Sequence, residues 1–505
     1  MAVFNSKPYP KKTRNGSKKT SRDNKSKNSN YIIVKKMKRL LFVFTMALLL
    51  AGCGNSNQGE LVGVRKSNKT FNQHDPYGMV FVPQGSFTMG VGGEDITGSY
   101  LNEPKTVSVS AFFMDETEIT NNEYRQFVYW VRDSIARRIL ADNFPERFAI
   151  TESKTGEVYD PPRLNWKEKI EWNGKDQEVR EALEPMYLPE HERYFRRKEI
   201  DTRKLYYSYY WFDMVAAAKK DFSDDKLTGN DYSIGEADAG INVDRKGAWS
   251  NRKQGYSDRS VYARAEVINV YPDTLCWIHD YSYSFNDPMT ERYFWHPAYD
   301  NYPVVGVTWQ QARAFCVWRT ELLNAYLRTR KGVDMSEFRL PTETEWEWAA
   351  RGGQMLNPYP WGGPNPANAK GCFLANFKPR RGNYLADGGL RTLVVGCYPP
   401  NGWGLYDMAG NVAEWTNTAF DPNSYNFTWD MNPNYTYNAK IDDPPVMKRK
   451  VVRGGSWKDI SYYMQVTTRD YQYQDSANCY TGFRCIQPYL GRNKGDNPRM
   501  SRVYR

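Results

Sequence analysis

Apolar and polar positions change rhythm several times along the 505 residues. Leu40 to Leu50 is an apolar run broken only by Thr45, too short to cross a bilayer as a helix. Residues 77–90 predict two short strands around a Pro83-Gln84-Gly85 turn, and Val107 to Met114 predicts a further strand. Three helix starts carry a hydroxyl followed three residues on by Glu or Gln, where each side chain satisfies the other's orphan amide. They are Thr120…Glu123, Thr308…Gln311 and Thr342…Glu345. The helix after Thr308 sets Ala312, Phe315, Cys316, Leu322 and Tyr326 along one stripe, which predicts a core face with Cys316 packed or bridged rather than reactive.

From about 131 to 295 the pattern becomes charge-dense and irregular, with helix-like pieces at Tyr129–Leu140, Glu178–Leu183 and Leu205–Asp221. This predicts a large insertion within one domain; a separate second domain is the alternative. Residues 338–490 are rich in Gly, Asn, Trp and Pro and short on periodicity, which predicts a domain held by turns, buried aromatics and side-chain hydrogen bonds.

Charge changes the picture less than the total suggests. The formal net charge is +11, yet residues 1–36 alone hold 11 Lys and Arg against one acid, Asp23, leaving 58 basic and 57 acidic residues for the rest. The body is close to neutral, so no nucleic-acid partner is expected. Residues 1–36 read as an over-extended start, with Met37 opening a signal peptide over 37–52. Lys38 and Arg39 precede the apolar run, and Leu50-Ala51-Gly52-Cys53 ends it. That ending resembles the bacterial lipobox, which implies cleavage before Cys53, lipidation of its thiol and a membrane anchor. Residues 53–76 read as a tether, 77–490 as the folded domain and 491–505 as a basic tail. Six further cysteines (Cys276, Cys316, Cys372, Cys397, Cys479, Cys485) without a C-x-x-C pair fit disulfides in an oxidising compartment better than zinc. No P-loop, dinucleotide fingerprint or hydrolase elbow is present.

A string of composite motifs in fixed order carries the strongest signal. Val80 to Gly90 comes first, followed by Glu116-Thr117-Glu118-Ile119-Thr120-Asn121 and Pro303 to Trp309. Arg339 to Gly353, Tyr359-Pro360-Trp361-Gly362, Gly404 to Trp415, Arg453-Gly454-Gly455-Ser456-Trp457 and Gly482-Phe483-Arg484-Cys485 complete it. Together they resemble the formylglycine-generating enzyme (sulfatase-modifying factor) family over about 77–130 and 296–487. The resemblance implies an α+β, C-type-lectin-like variant fold with little regular secondary structure. Its enzymes oxidise a substrate cysteine on a copper ion held by two cysteines after the Gly-Gly-Ser motif. Two soft thiolates select Cu(I). Here Asp459 stands at the first of those positions, Met464 near the second, and no cysteine lies between Gly454 and Asn478. No copper and no oxidase activity are expected, which makes the chain a pseudoenzyme.

The resemblance also implies a disulfide between Cys316 and Cys485 and two calcium sites. The first would use Asp407, Asn411 and Glu414 with the carbonyls of Gly410 and Val412. The second would use Asn376, the Phe377 carbonyl and Asp387. These are hard oxygen donors suited to Ca²⁺. The alternative is that Asp407, Asn411 and Glu414 cap buried backbone amides.

A lipobox, a missing thiolate pair and a Tyr/Trp-rich insertion resemble the lipoproteins of the type IX secretion and gliding-motility machinery, the K branch first and the J branch next. That implies a non-catalytic protein lipid-anchored on the periplasmic face of the outer membrane. It would self-associate into a ring with the machinery's N subunit and meet other components of that system. An active oxidase and a glycan- or peptide-binding lipoprotein are the alternatives.

Overall fold

The computed structural model describes residues between 73 and 491, apart from 91–102, nearly all of 213–262 and a few short stretches. The signal peptide, Cys53, nearly all of the tether and the basic tail after Gly491 lie outside the described residues. Four short strands open the fold: β1 (Met79–Val82), β2 (Gly85–Met89), β3 (Lys105–Val109) and β4 (Phe112–Asp115). Helix α1 (Asn121–Asn143), strands β5 (Ala149–Glu152) and β6 (Val158–Leu164), α2 (Gln177–Leu183), and strands β7 (Tyr206–Phe212) and β8 (Ala263–Asn269) follow. Helices α3 (Trp309–Thr329) and α4 (Glu343–Arg351) precede β9 (Ala413–Ala419), β10 (Arg449–Arg453), β11 (Asp470–Tyr473), β12 (Thr481–Gly482) and β13 (Ile486–Pro488).

The strand expected over Val107 to Met114 is two strands in different sheets. β3 pairs with β2, so Phe87, Met89, Val107 and Val109 face one core, while β4 pairs antiparallel with both β1 and β13. The chain changes sheet at Ser110-Ala111, and β4 becomes the centre of the sheet that joins the two ends of the domain. A second sheet has the order β11-β10-β9-β12, with β12 parallel to β9.

All three capping boxes form: Thr120, Thr308 and Thr342 each accept from the backbone amide three residues on, and the Glu or Gln there accepts from the cap amide. The stripe on α3 is shorter than the sequence implied. Ala312, Phe315 and Cys316 are buried, but Leu322 and Tyr326 are about half exposed, because the stripe continues through Thr320 and Leu323 instead.

The first part of the helix-like piece expected over Leu205–Asp221 is a strand instead, Met214 is helical, and nearly all that follows lies outside the described residues. Tyr206–Phe212 is a strand whose alternate residues Tyr207 and Tyr209 are buried. The aromatic density had hidden a period of two. Leu205, Tyr207, Tyr209, Val270 and Phe294 join one hydrophobic cluster with Phe315 and Trp318 of α3 and Trp415 of β9. The inserted residues therefore supply part of the main core, and a smaller cluster (Ala136, Leu140, Phe148, Val179, Leu183, Met186) packs α2 on α1. No described helix is long and apolar enough to cross a membrane.

Candidate functional site

Asp459 and Met464, which the resemblance sets against the copper-binding thiols, do structural work here. Asp459 accepts from the Ser456 amide at 2.9 Å and from its hydroxyl at 2.6 Å, closing the turn after Gly454-Gly455. Met464 is fully buried in a cluster with Tyr359, Phe377 and Ala409. Burial raises the Asp459 carboxyl above its ordinary range, with Ser456 opposing. A carboxylate held by a hydroxyl and a thioether sealed in the core do not fit Cu(I), which two soft, open thiolates would select.

The two sulfurs of Cys316 and Cys485 stand 3.4 Å apart, fully buried and not bonded in this structure. α3 brings one, and the residue before β13 the other. Asp115 braces both elements, because it accepts from the Cys485 amide at 2.8 Å and pairs with Arg319 of α3 at 2.8 Å. We expect this pair to bridge in an oxidising compartment. Non-reducing peptide mapping should recover one cross-linked 316–485 species, and loss of the bridge should cost about 5 kcal/mol for so long a loop. Two free thiols on the protein isolated under air would count against it. Cys276 and Cys479 share another buried cluster with Trp277 and Trp457, while Cys372 and Cys397 are exposed.

The oxygen-rich loops converge in one hydrogen-bonded network. The Asn411 side-chain oxygen accepts from the Leu393 amide at 3.0 Å and from the Asn376 side chain at 3.2 Å, and the Asn411 amide donates to the Asn376 carbonyl at 2.8 Å. Asp407 accepts from the Gly396 amide at 2.6 Å. Both Asp407 and Asn411 hold positive φ (53° and 60°), a conformation Asn and Asp tolerate better than most side chains. Asp407 and Asn411 thus each accept from a loop amide.

Glu414 is held by a buried cation and an indole. Arg484 donates to both its oxygens at 2.6–2.9 Å, and the Trp346 indole donates at 2.7 Å. Its charge is balanced by that buried guanidinium. A residue absent from the sequence expectation takes its place beside Asp407. Glu118 is fully buried and accepts from the Asn411 side chain at 3.2 Å and the Val412 amide at 3.4 Å. Burial, then the charge of Asp407, pushes the Glu118 carboxyl well up, and burial pushes Asp407 up to about 6. The only sequence signal for Glu118 was an acid immediately before the buried Ile119 and the Thr120 cap.

The second set fits a hard cation better. Asn376 donates to the Arg391 carbonyl at 2.9 Å, but its side-chain oxygen is buried without a partner. Gly389 faces that oxygen so closely that a Cβ there would lie 3.1 Å from it. Asp387 accepts from the Phe377 amide at 2.6 Å, and burial raises its carboxyl. The orphaned amide oxygen of Asn376 and the half-buried carboxylate of Asp387 are hard donors of the kind Ca²⁺ takes, along with carbonyls and water. Among the described residues, no three His, Cys, Asp or Glu side chains gather as a metal cluster.

These features sit in a fold of established type. The profile of the Sulfatase-modifying factor enzyme 1-like domain matches residues 64–187 and 227–489, and the chain belongs to that family. It is 35% identical over 201 residues to the inactive C-alpha-formylglycine-generating enzyme 2 of Bos taurus, covering 39% of this chain and 53% of that protein. It is 34% identical over 196 residues to the formylglycine-generating enzyme of Mus musculus, covering 38% and 45%. The chain thus spans about half the length of these curated relatives. PvdO from Pseudomonas aeruginosa is similar across 84% of this chain and 100% of its own, at 15% identity and a TM-score of 0.41. Relatives named as active and as inactive both occur, so membership alone does not decide catalysis.

Proposed function

We propose that this chain is a non-catalytic lipoprotein of the type IX secretion and gliding machinery, of the K type. Lipid on Cys53 holds it at the periplasmic face of the outer membrane, and it assembles into a ring with further copies and the N subunit. The observation that carries the non-catalytic part is the commitment of Asp459 and Met464 to a turn and a core, so neither position supplies a thiolate. The leader, the Tyr/Trp-rich insertion and the motif order support the assembly part. The test is purification of the tagged protein from membranes with imaging of what accompanies it. Large rings containing the N subunit are expected, and a deletion should stop export of type IX cargo. Monomers with normal export in the deletion would reject the reading. The same preparation should neither retain Cu(I) against a chelator nor consume oxygen with a cysteine peptide; turnover would overturn the non-catalytic part alone.

We further propose that Asn376, the Phe377 carbonyl and Asp387 hold calcium as a structural ion. A ligand at 100 times its dissociation constant adds about 2.7 kcal/mol, so melting in millimolar Ca²⁺ should exceed that in chelator by several degrees. Asp387→Asn should abolish the difference. Identical melting curves in Ca²⁺ and chelator would remove calcium from the account.

A further inference from the structure

Among the described residues, the β7–β8 ribbon leaves a strand edge without a strand partner. β7 pairs with β8 from Tyr206↔Asn269 to Phe212↔Ala263 and with no other described strand. Exposed edges invite pairing by another chain, and folded proteins generally cover, charge or use them. Here the strand is seven residues long, carries no charge and no proline, and is mostly aromatic.

A cleft of about 140 Å³ lies beside it, between β7 and α1, with Glu321 of α3 at one side. That is on the order of ten water-sized positions, whereas three other clefts of the domain hold 10–20 Å³. Tyr206, Tyr207 and Ser208 all line it. Successive strand residues point to opposite faces, so a cleft that touches three in a row laps around the strand's edge.

Its chemistry is mixed in a specific way. Trp130 forms an apolar wall, held by stacking on Trp166 at 5.2 Å and by an edge contact with Tyr207 at 6.0 Å. Glu321 is occupied by the Tyr207 hydroxyl at 2.8 Å. Arg138, by contrast, lines the cleft with no ion pair or hydrogen bond among the described residues. A cation and a strand edge without partners among the described residues, beside an aromatic wall, are complementary to one kind of occupant. A strand added to a sheet edge gains backbone bonds there, and alternate side chains find pockets.

We propose that this cleft receives an extended peptide segment of a partner. Its backbone pairs with the edge of β7, an apolar side chain packs against Trp130 and Tyr207, and a neighbouring carboxylate side chain meets Arg138. The site is independent of the degenerate copper positions and of calcium, and it stands or falls separately from ring assembly.

The test uses the full chain, purified in detergent and immobilised, panned with phage-displayed random heptapeptides. Peptides that combine an acid with an apolar residue should be enriched. Two variants act on exposed side chains: Ser208→Trp fills the cleft, and Arg138→Glu reverses its charge. Each should weaken binding of the recovered peptides at least tenfold while the melting temperature stays within a degree or two, and Tyr326→Ala on α3 should leave it unchanged. Three results would overturn the proposal: no enrichment, recovered peptides that bind both variants as tightly as the parent, or Arg138-dependent binding of phenylacetate without any peptide binding. The last would mark a small-anion pocket instead.

Discussion

Replacing Arg484 by methionine should destabilise the domain by about 3–5 kcal/mol, the range for stranding a buried charge by removing its partner. The guanidinium is fully buried and every one of its nitrogens is used. Nε and Nη2 bind Glu414, Nη2 also donates to the Tyr406 carbonyl, and Nη1 reaches the carbonyls of Asp115 and Glu116 at 3.1 and 3.4 Å. One side chain thereby ties the residue after Phe483 to β9, to the end of β4 and to the Asp407 loop. It also offsets the charges of Glu118 and Asp407, both held above their ordinary range by burial. Without Arg484, three buried carboxyl groups would face one another with no cation. Arg484→Lys should recover only part of the loss, since an ammonium cannot reproduce a fork that spans two carboxylate oxygens and three carbonyls. Pairing Arg484→Met with Glu414→Leu should be less damaging than the single change, because it removes the stranded charge as well. Urea unfolding of the four proteins measures this. A loss below about 1 kcal/mol for Arg484→Met would mean that water or an ion takes over its role.

That network marks where sequence reasoning stopped. The caps at Thr120, Thr308 and Thr342 were legible because both partners lie within four residues of each other. The family was legible because its motifs carry turn-forming residues in fixed order. The partner of Glu414 was not legible because nothing near it in sequence announces a cation, and Arg484 lies 70 residues away. Glu118 was missed for the same reason: its neighbour Asn411 is 293 residues distant. β7 was misread because seven residues with six aromatics look continuous, and only packing against α3 separates the buried Tyr207 and Tyr209 from the exposed Ser208 and Tyr210. The Met464 position was readable as an absent thiol, but its burial among Tyr359, Phe377 and Ala409 needed the fold.

Lys450 should make the domain more stable as pH rises from about 7 towards 10. It lies on β10, fully buried, and donates to the Tyr437 carbonyl at 2.6 Å, with its nitrogen 3.9 Å from the centre of the Trp309 ring. Burial pushes its amine down to about 7; the neighbouring Arg313 charge pushes the same way, and Glu266 opposes. The unfolded chain keeps this lysine protonated up to its ordinary 10.5. Between the two values the unfolded state therefore binds the extra proton, and stability climbs with pH across that window. The full separation sets a ceiling of about 5 kcal/mol, which the Trp309 face reduces by favouring the ammonium. Lys450→Met keeps the volume and removes the charge. The variant should be more stable than the parent at pH 6, with the difference shrinking towards pH 10. It leaves the Tyr437 carbonyl without its donor, a penalty that does not vary with pH and so does not change the slope. Equilibrium unfolding of both proteins at pH 6, 8 and 10 isolates the effect. Parallel stability curves would show that Lys450 keeps its proton in the folded core, with Glu266 and the Trp309 ring holding the charge in place.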